Sequence, residues 1–310
     1  MKMKTLVIGG ANFIGPVLIR QLAQSGHEVV VFHRRISPEI QYDQIQGNCN
    51  DADDLRRALD AVAPDAILHM VAWSQKQIHV LEQALRGGKI RAVIASSVDV
   101  YKAYEVLLGL SDAPVVAAPC DEQAALRDVL YPYRGRIEAD FAHDYEKILM
   151  EKAAMHSTVL DAVILRLGMV YGRNDPKHRF LEPIQKMRQD TKRIELPKDA
   201  AAFRASKCHV EDVAHGIILA MESHATHEIY NLAARQALSE MEWYQRIAGL
   251  MHWHGDIVVD ETSAAADGMN YAQPLVADTS KIRRQLGYEE RLPLDDGLAD
   301  TIHWELENIA

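Results

Sequence analysis

An apolar run at the start of the chain ends on two glycines and leads at once into a helical pattern. Residues 6–15 read LVIGGANFIG. Glycines let a backbone approach a phosphate closely, and the first turn of a helix offers free N–H groups and the positive end of its dipole. The spacing therefore predicts a site for the pyrophosphate of a dinucleotide, with Asn12 in the place of the usual middle glycine. The alternative is a strand-to-helix turn that needs glycine only for packing.

Further apolar runs follow this turn and alternate with helical patterns. We predict strands at 28–32, 44–46, 66–71, 90–95 and 161–166, a helix that Asn50 caps, and a helix around 145–154. Amphipathic helices are predicted at 210–221, 241–251 and 295–307. The alternation predicts an α/β fold, a Rossmann-type doubly wound parallel sheet with a smaller C-terminal substrate domain. We assign 1–170 to the dinucleotide-binding domain, with 205–232 packing back onto it, and 171–204 with 233–310 to the substrate domain.

The stretch 111–142 has three prolines and little periodicity. A connection of this length in a compact fold is usually a lid or a binding loop, or else it is mobile. We favour the lid.

The formal net charge of −10 argues against nucleic acid and anionic membranes as partners. The cysteines Cys49, Cys120 and Cys208 are odd in number and match no metal pattern, so reduced thiols in a cytoplasm are expected, with no metal site. No signal peptide is recognised before the first strand, and no apolar stretch approaches the roughly 20 residues that span a bilayer.

Six motifs in order resemble the extended short-chain dehydrogenase/reductases, the group usually called NAD-dependent epimerase/dehydratases. They are GGANFIG at 9–15, SSVDVY at 96–101, KILME at 147–151, LRLGMVYG at 165–172, HVEDVA at 209–214 and DTSKI at 278–282. The resemblance covers nearly the whole chain. It implies hydride transfer at a secondary alcohol or ketone, with sugars or nucleotide sugars among the candidate substrates.

The resemblance also assigns catalytic roles. Ser97 matches the hydroxyl that binds the reacting oxygen, and Lys147 matches the lysine that holds the nicotinamide ribose and lowers the pKa of a neighbouring tyrosine. That tyrosine belongs four residues before the lysine, where this chain has His143, while Tyr145 lies only two residues before it. Three hypotheses stay open: His143 is the acid/base, a distorted helix start brings Tyr145 in, or the reaction is lost and the chain is a dinucleotide sensor or scaffold.

The end of the second predicted strand bears on the choice of cofactor. An NAD enzyme usually has a carboxylate there, whereas this chain has His33, Arg34 and Arg35. Because arginine binds a 2′-phosphate well, we favour NADP, with NAD as the alternative. The complete set of predicted cofactor residues is Gly9, Gly10, Asn12, Phe13, Ile14, Gly15, His33, Arg34, Arg35, Asn48, Cys49, Val71, Ala72 and Lys147.

Evidence for the substrate is thinner. Met169, Arg179 and Arg204 are the candidate substrate residues, and the arginines suit an anionic small molecule. Met169 stands where nucleotide-sugar enzymes of this group usually have asparagine. The resemblance further suggests a homodimer formed through the helices that flank 111–142.

Overall fold

The computed structural model describes residues 2–189 and 191–308. Its strands are β1 Lys4–Ile8, β2 Glu28–His33, β3 Asp43–Gln46, β4 Ala66–His69, β5 Ile90–Ser97, β6 Leu160–Leu167, β7 Met169–Tyr171, β8 Arg193–Pro197, β9 Lys207–His209, β10 Glu228–Leu232 and β11 Asp256–Asp260. Its α-helices are α1 Ile14–Gln24, α2 Ala52–Val62, α3 Gln75–Leu85, α4 Lys102–Leu107, α5 Lys147–His156, α6 Leu181–Arg188, α7 Lys198–Ala202, α8 Val210–Glu222, α9 Glu240–Leu250, α10 Ser280–Leu286 and α11 Leu294–Asn308.

Seven strands form one parallel sheet in the order β10-β6-β5-β4-β1-β2-β3. The order reverses beside β1, and ligands bind at such a switch point in open α/β sheets. Apolar side chains cover both faces of the sheet, which is why its central strands are continuous β-branched and aliphatic runs. The prediction of a doubly wound parallel sheet is therefore confirmed.

The edge strand β10 comes from far along the chain and was not predicted. It pairs with β6 at the edge of the sheet. Helices α1 and α8 pack against each other on one face of the sheet. The segment EIYNL is short and only partly apolar, so its pattern alone does not separate it from a loop. Strand β10 thus belongs to the main sheet, whereas β9 pairs with β7, and the assignment of 205–232 to the dinucleotide-binding domain stays a prediction.

The remaining C-terminal elements build a second apolar cluster. The two-stranded sheets β7–β9 and β8–β11 lie beside α6, α9 and α11. Tyr171, Phe180 and Trp243 pack edge-to-face or tilted in this cluster, with ring centroids 5.0–5.6 Å apart. Its separation as a substrate domain stays a prediction.

Three local predictions are corrected. The cap of α2 is Asp51, whose side chain accepts from the amides of Asp53 and Asp54, rather than Asn50. Helix α5 begins at Lys147 rather than at 145, because Glu146 caps it and accepts from Ile148. The predicted strand 66–71 ends at His69, and the predicted strand 90–95 continues to Ser97.

Three backbone hydrogen bonds attach the middle of the stretch 111–142 to neighbouring segments. The Arg127 amide donates to Val100, the Lys102 amide donates to Ala125, and the Cys120 amide donates to Val276, all at 2.7–2.8 Å. The first two bonds hold the stretch beside the residues that directly follow β5, and the third ties it to the segment before α10.

Over the ranges 2–189 and 191–308, the structure has no helix long and apolar enough to cross a membrane. Within these same ranges, no group of three or more His, Cys, Asp or Glu side chains is placed to hold a metal ion.

Candidate active site and cofactor cleft

The carboxyl ends of β1, β2, β3 and β4 border a cavity of about 800 Å³. Of the predicted cofactor residues, those that line it are Gly9, Asn12, His33, Arg34, Arg35, Asn48, Cys49 and Val71. Gly10, Phe13, Ile14, Gly15, Ala72 and Lys147 lie outside its lining. Residues 36–39, Trp73 and Gln77 also line the cavity and were missed, although they directly follow or flank predicted positions.

The glycines of the β1–α1 turn permit close backbone approaches. Gly9 has a φ of +87°, and a Cβ added there would lie 2.5 Å from a methyl carbon of Val71. A Cβ on Gly15 would lie 2.2 Å from the carbonyl oxygen of Gly10, so α1 can pack against the turn only without one. Phe13, at the N-cap of α1, makes no side-chain capping bond. The Gly15 amide donates to the carbonyl of Asn12 at 2.9 Å and Pro16 has no N–H, so the Ile14 amide is the group of this first turn that suits a phosphate.

His33 gives independent support for a ligand in this cavity. Its side chain ends β2, the residue is only 8% exposed, and both ring nitrogens are buried without a hydrogen-bond partner. A buried polar group normally has a partner, so these nitrogens suit a polar ligand in the cavity. Arg34 and Arg35 are exposed at the same rim. The residues present thus fit the adenosine and phosphate groups of a dinucleotide.

Lys147 lies deeper, between the ends of two central strands. Its Nζ donates to the carbonyl oxygens of Ala72 at 2.8 Å and of Ala95 at 2.7 Å. Burial lowers the pKa of Lys147 to about 8, and the negative charges of Asp99 and Glu151 oppose this fall. The ammonium is therefore held at the carboxyl edge of β4 and β5, next to the place where β5 ends in Ser97.

The side chain of Tyr145 also lies beside Lys147 and Ser97. Because α5 begins at Lys147, Tyr145 belongs to the extended turn before the helix and does not follow helical geometry. Its ring lies 5.7 Å from the Nζ of Lys147, and its hydroxyl has a hydrogen bond with Ser97. The structure thus brings Ser97, Tyr145 and Lys147 together. This is the arrangement that the hypothesis of a distorted helix start required; the catalytic role of each residue stays a prediction.

Asp99 is a buried carboxyl that sequence reasoning missed. Its Oδ2 accepts from the Tyr145 hydroxyl at 2.6 Å and from the Tyr133 hydroxyl at 3.2 Å, and its Oδ1 is buried without a partner. Burial raises the pKa of Asp99, while the bond from Tyr145 and the charge of Arg127 oppose the rise. A carboxylate between two valines, in the segment VDVY at 98–101, was the available signal.

The segment before α5 is held by a buried ion pair. Arg127, from the 111–142 stretch, lies 3.2 Å from Glu146, and both side chains are buried. Glu146 also accepts from the Tyr131 amide at 2.6 Å, and its own amide donates to Trp73 beyond β4. These contacts determine where Tyr145 lies.

His143 is placed differently from the first hypothesis. Its side chain is 74% exposed, and its Nδ1 lies 2.7 Å from the carboxylate of Asp144. The short 3₁₀ turn Asp140–His143 turns the imidazole towards solvent. The structure therefore does not bring His143 to Ser97, and Tyr145 is the residue of this segment that lies there.

The candidate substrate residues are also engaged with other groups. Arg179 donates to the carbonyl of Val170 and to Asp175, both at 2.6 Å. Arg204 lies 2.8 Å from Glu242 and is exposed. Met169, half-buried, packs in the cluster that contains Val98 and Val100 and so lies on the active-site side of the sheet. Two of the three residues thus have their charge already neutralised.

Comparisons with known proteins agree with the fold described above. Residues 5–233 match the family model described as the NAD dependent epimerase/dehydratase family. A dTDP-4-dehydro-6-deoxy-D-allose reductase from Streptomyces bikiniensis is 24% identical, over 96% of this chain and 95% of its own.

Two solved structures share the fold over nearly their whole length. A UDP-glucose 4-epimerase from Thermotoga maritima, solved with UDP-glucose, superposes with a TM-score of 0.73 at 18% identity and covers 98% of this chain and 99% of its own. A dTDP-glucose 4,6-dehydratase from Bacillus anthracis, solved with NAD, gives 0.71 at 16% identity, over 99% and 97%.

Proposed function

This chain belongs to the NAD dependent epimerase/dehydratase family and is an enzyme of its NAD(P)-dependent hydride-transfer type; we propose that it prefers NADP(H) and uses Tyr145 as its acid/base. The observation that carries the proposal is the hydrogen bond of the Tyr145 hydroxyl with Ser97, together with the Lys147 ammonium 5.7 Å from the centre of the Tyr145 ring, at one edge of the sheet. A proton donor, an oxygen-binding hydroxyl and a fixed cation are the groups that reduction of a carbonyl requires.

Each residue has one task in this scheme. When bound, the dinucleotide supplies or accepts the hydride. Ser97 binds the reacting oxygen of the substrate, and Tyr145 gives that oxygen a proton or takes one from it. Lys147, held by two backbone carbonyls, presents its charge to the ribose and to the tyrosine.

The preference for NADP(H) rests on the rim of the cavity. Arg34 and Arg35 can bind a 2′-phosphate bidentately, and His33 adds unpartnered nitrogens in the same cavity. Glu39 also lines the cavity and would repel a phosphate placed beside it. We therefore assign the phosphate to the arginine side of the rim.

For the substrate, we propose a small molecule with a carbonyl or secondary alcohol, of the sugar or nucleotide-sugar class named in the relatives. Met169 would contact it, and recruitment of Arg179 or Arg204 would require breaking an existing ion pair. A cytoplasmic location and a homodimer belong to the same proposal.

The first experiment is a fluorescence titration of the purified protein with NADPH and with NADH. Arg34→Ala should weaken NADPH binding at least about tenfold and leave NADH binding nearly unchanged, because only NADPH loses a charged partner. Arg193→Ala, which removes an exposed arginine of the other apolar cluster, is the matched control. Equal loss for both cofactors would contradict the NADP(H) assignment, and binding of neither would contradict the cofactor site.

The second step is a screen of ketones, aldehydes and nucleotide sugars for oxidation of the bound cofactor. The sensor or scaffold hypothesis would be favoured if the protein binds the cofactor but turns over no compound of that panel, and if Tyr145→Phe leaves the cofactor affinity unchanged.

A further inference from the structure

One carboxylate oxygen in this site accepts hydrogen bonds from two tyrosines. Tyr145 and Tyr133 donate to the Oδ2 of Asp99 at 2.6 and 3.2 Å, and the Tyr133 oxygen lies 2.8 Å from the hydroxyl of Tyr104. The rings of Tyr133 and Tyr145 are in contact, with centroids 5.0 Å apart. Three hydroxyls and a carboxyl from four chain segments thus form one continuous hydrogen-bonded group.

Two cations face this group, and they come from two different chain segments. Arg127, from the 111–142 stretch, donates from its Nε to the backbone carbonyl of Asp99 at 2.5 Å. Its other guanidinium nitrogens donate to the carbonyl of Val129 and to the carboxylate of Glu146. Lys147 approaches from α5 and places its Nζ over the Tyr145 ring. Neither cation contacts the Tyr145 hydroxyl directly, whereas Asp99 does.

Asp99 and Lys147 therefore act in opposite senses on Tyr145. A nearby cation favours tyrosinate, and a nearby carboxylate favours the neutral phenol. Burial and Asp99 together raise the pKa of Tyr145 well above its usual value, and the bond with Ser97 opposes them. Asp99 acts on the Tyr145 hydroxyl more directly than Lys147 does, because its carboxylate is hydrogen-bonded to that hydroxyl.

We propose that Asp99 is a positioning residue that keeps the proton on Tyr145, so that the site donates a proton to a carbonyl oxygen and its working substrate is a ketone or an aldehyde. This inference rests on the proposed function and specifies its direction. The hydride adds to the carbonyl carbon, the C=O double bond becomes a single bond, and the Tyr145 proton passes to the oxygen. The cofactor is oxidised, the carbonyl is reduced to an alcohol, and water returns the proton to the tyrosinate.

The test measures the ionisation of Tyr145 itself and needs no substrate. Protein labelled with ¹³C at the tyrosine Cζ is titrated by NMR without cofactor, and Tyr145→Phe identifies the Tyr145 signal among the 11 tyrosines. Asp99→Asn should lower the Tyr145 pKa by about one unit or more, because the neighbouring negative charge is gone. Asp144→Asn removes an exposed carboxylate one residue away and should leave it unchanged.

A second variant tests the shared carboxylate. Tyr133→Phe removes one of the two hydrogen-bond donors to the Oδ2 of Asp99. Because Tyr145 is then the remaining tyrosine donor to that oxygen, the negative charge of Asp99 should disfavour tyrosinate more strongly. The Tyr145 pKa should rise or stay beyond the titrated range. An unchanged or raised pKa in Asp99→Asn, including a signal that stays neutral to the highest pH of the folded protein, overturns the proposal.

Kinetics then separate this inference from the proposed function. With a responsive substrate, reduction should be independent of pH around neutrality, and oxidation of the product alcohol should rise about tenfold per pH unit, since only tyrosinate accepts a proton. Asp99→Asn should move the plateau of oxidation to lower pH. Failure to bind NADPH or NADH would defeat the proposed function, whereas an NMR titration insensitive to Asp99 would defeat only this inference.

Discussion

Tyr145 precedes Lys147 by two residues, and the two side chains can meet at this spacing because the tyrosine lies outside the helix. On a helix the two side chains would diverge by roughly 200°. In the structure the chain enters α5 from an extended residue, Glu146, and the tyrosine ring turns back over the lysine. The displaced tyrosine is thus compatible with a site built from Ser97, Tyr145 and Lys147.

This placement predicts opposite outcomes for two neighbouring substitutions. Tyr145→Phe should reduce turnover by about 10²–10⁴-fold, the usual contribution of a positioned proton donor, and leave NADPH binding intact. His143→Ala should leave turnover unchanged, because the imidazole is exposed and paired with Asp144. Steady-state rates of cofactor oxidation decide between them. Loss of activity in His143→Ala with normal activity in Tyr145→Phe would restore the first hypothesis.

His69 predicts a sensitivity of the fold to acid. The imidazole ends β4, fully buried with both nitrogens unpartnered, and burial, reinforced by the charge of Lys147, lowers its pKa to about 3. The unfolded chain binds a proton near pH 6.5, so this contribution to stability is complete above that pH and is lost as the pH falls towards 3. At pH 5 the loss relative to pH 8 is about 2 kcal/mol.

His69→Leu should remove this part of the acid sensitivity, as measured by urea unfolding at pH 8 and pH 5. His79→Leu, on the exposed face of α3, serves as the control and should keep the wild-type difference. Part of the difference should persist in His69→Leu, because burial also lowers the pKa of His215, to about 4. An identical pH dependence in wild type and His69→Leu would refute the assignment.

At the scale of elements, the turn between β1 and α1 combines two separate demands on glycine. Gly9 and Gly26 have nearly the same positive φ, +87° and +85°, but only Gly9 meets a neighbour, Val71. An alanine at either position costs about 1–2 kcal/mol of backbone strain. Of these two glycines, only Gly9 in the cofactor turn also carries a steric demand.

Gly9→Ala should lower the free energy of unfolding more than Gly26→Ala and should weaken cofactor binding at least about tenfold, because the turn must move away from β4. Gly26→Ala should share the strain but bind the cofactor normally. Urea unfolding and the NADPH titration measure the two effects separately. Equal cofactor affinities in the two variants would mean that the close approach of Gly9 to Val71 does not shape the site.

At the scale of the whole molecule, the seven-stranded sheet is not built from one contiguous part of the sequence. Strand β10 covers the edge of β6, and α8 covers the apolar face that includes Leu165 and Leu167. Further ties are the pair of Arg20 with Glu211 and the contact of His27 with Glu222 at 2.9 Å. Residues 1–170 alone would expose an unpaired strand and a large apolar surface.

The fragment 1–170 should therefore fail to show a cooperative urea transition, whereas the full chain should show one. Circular dichroism and binding of a hydrophobic dye measure this difference. A cooperative transition in the fragment, with low dye binding, would show that the N-terminal part folds independently and that 205–232 is dispensable.

The amino-acid sequence by itself determined the β1–α1 turn and most strands of the sheet. Buried parallel strands are continuous apolar runs and glycine turns are local, so both are legible in one segment at a time. The serine and the lysine of the site were found for the same reason, since each belongs to a motif with a fixed place in its element.

Only the tertiary structure decided the rest of the site. Tyr145 reaches Ser97 because Glu146 is paired with Arg127, a residue of a distant stretch, and no local pattern records that pair. Asp99 and Tyr133 meet because the same stretch crosses the end of β5. Residues 228–232 likewise form a strand because they pair with the edge strand β6, and not because their own sequence has the periodicity of a strand. Such contacts depend on which segments the fold brings together, and a single sequence carries no direct signal of them.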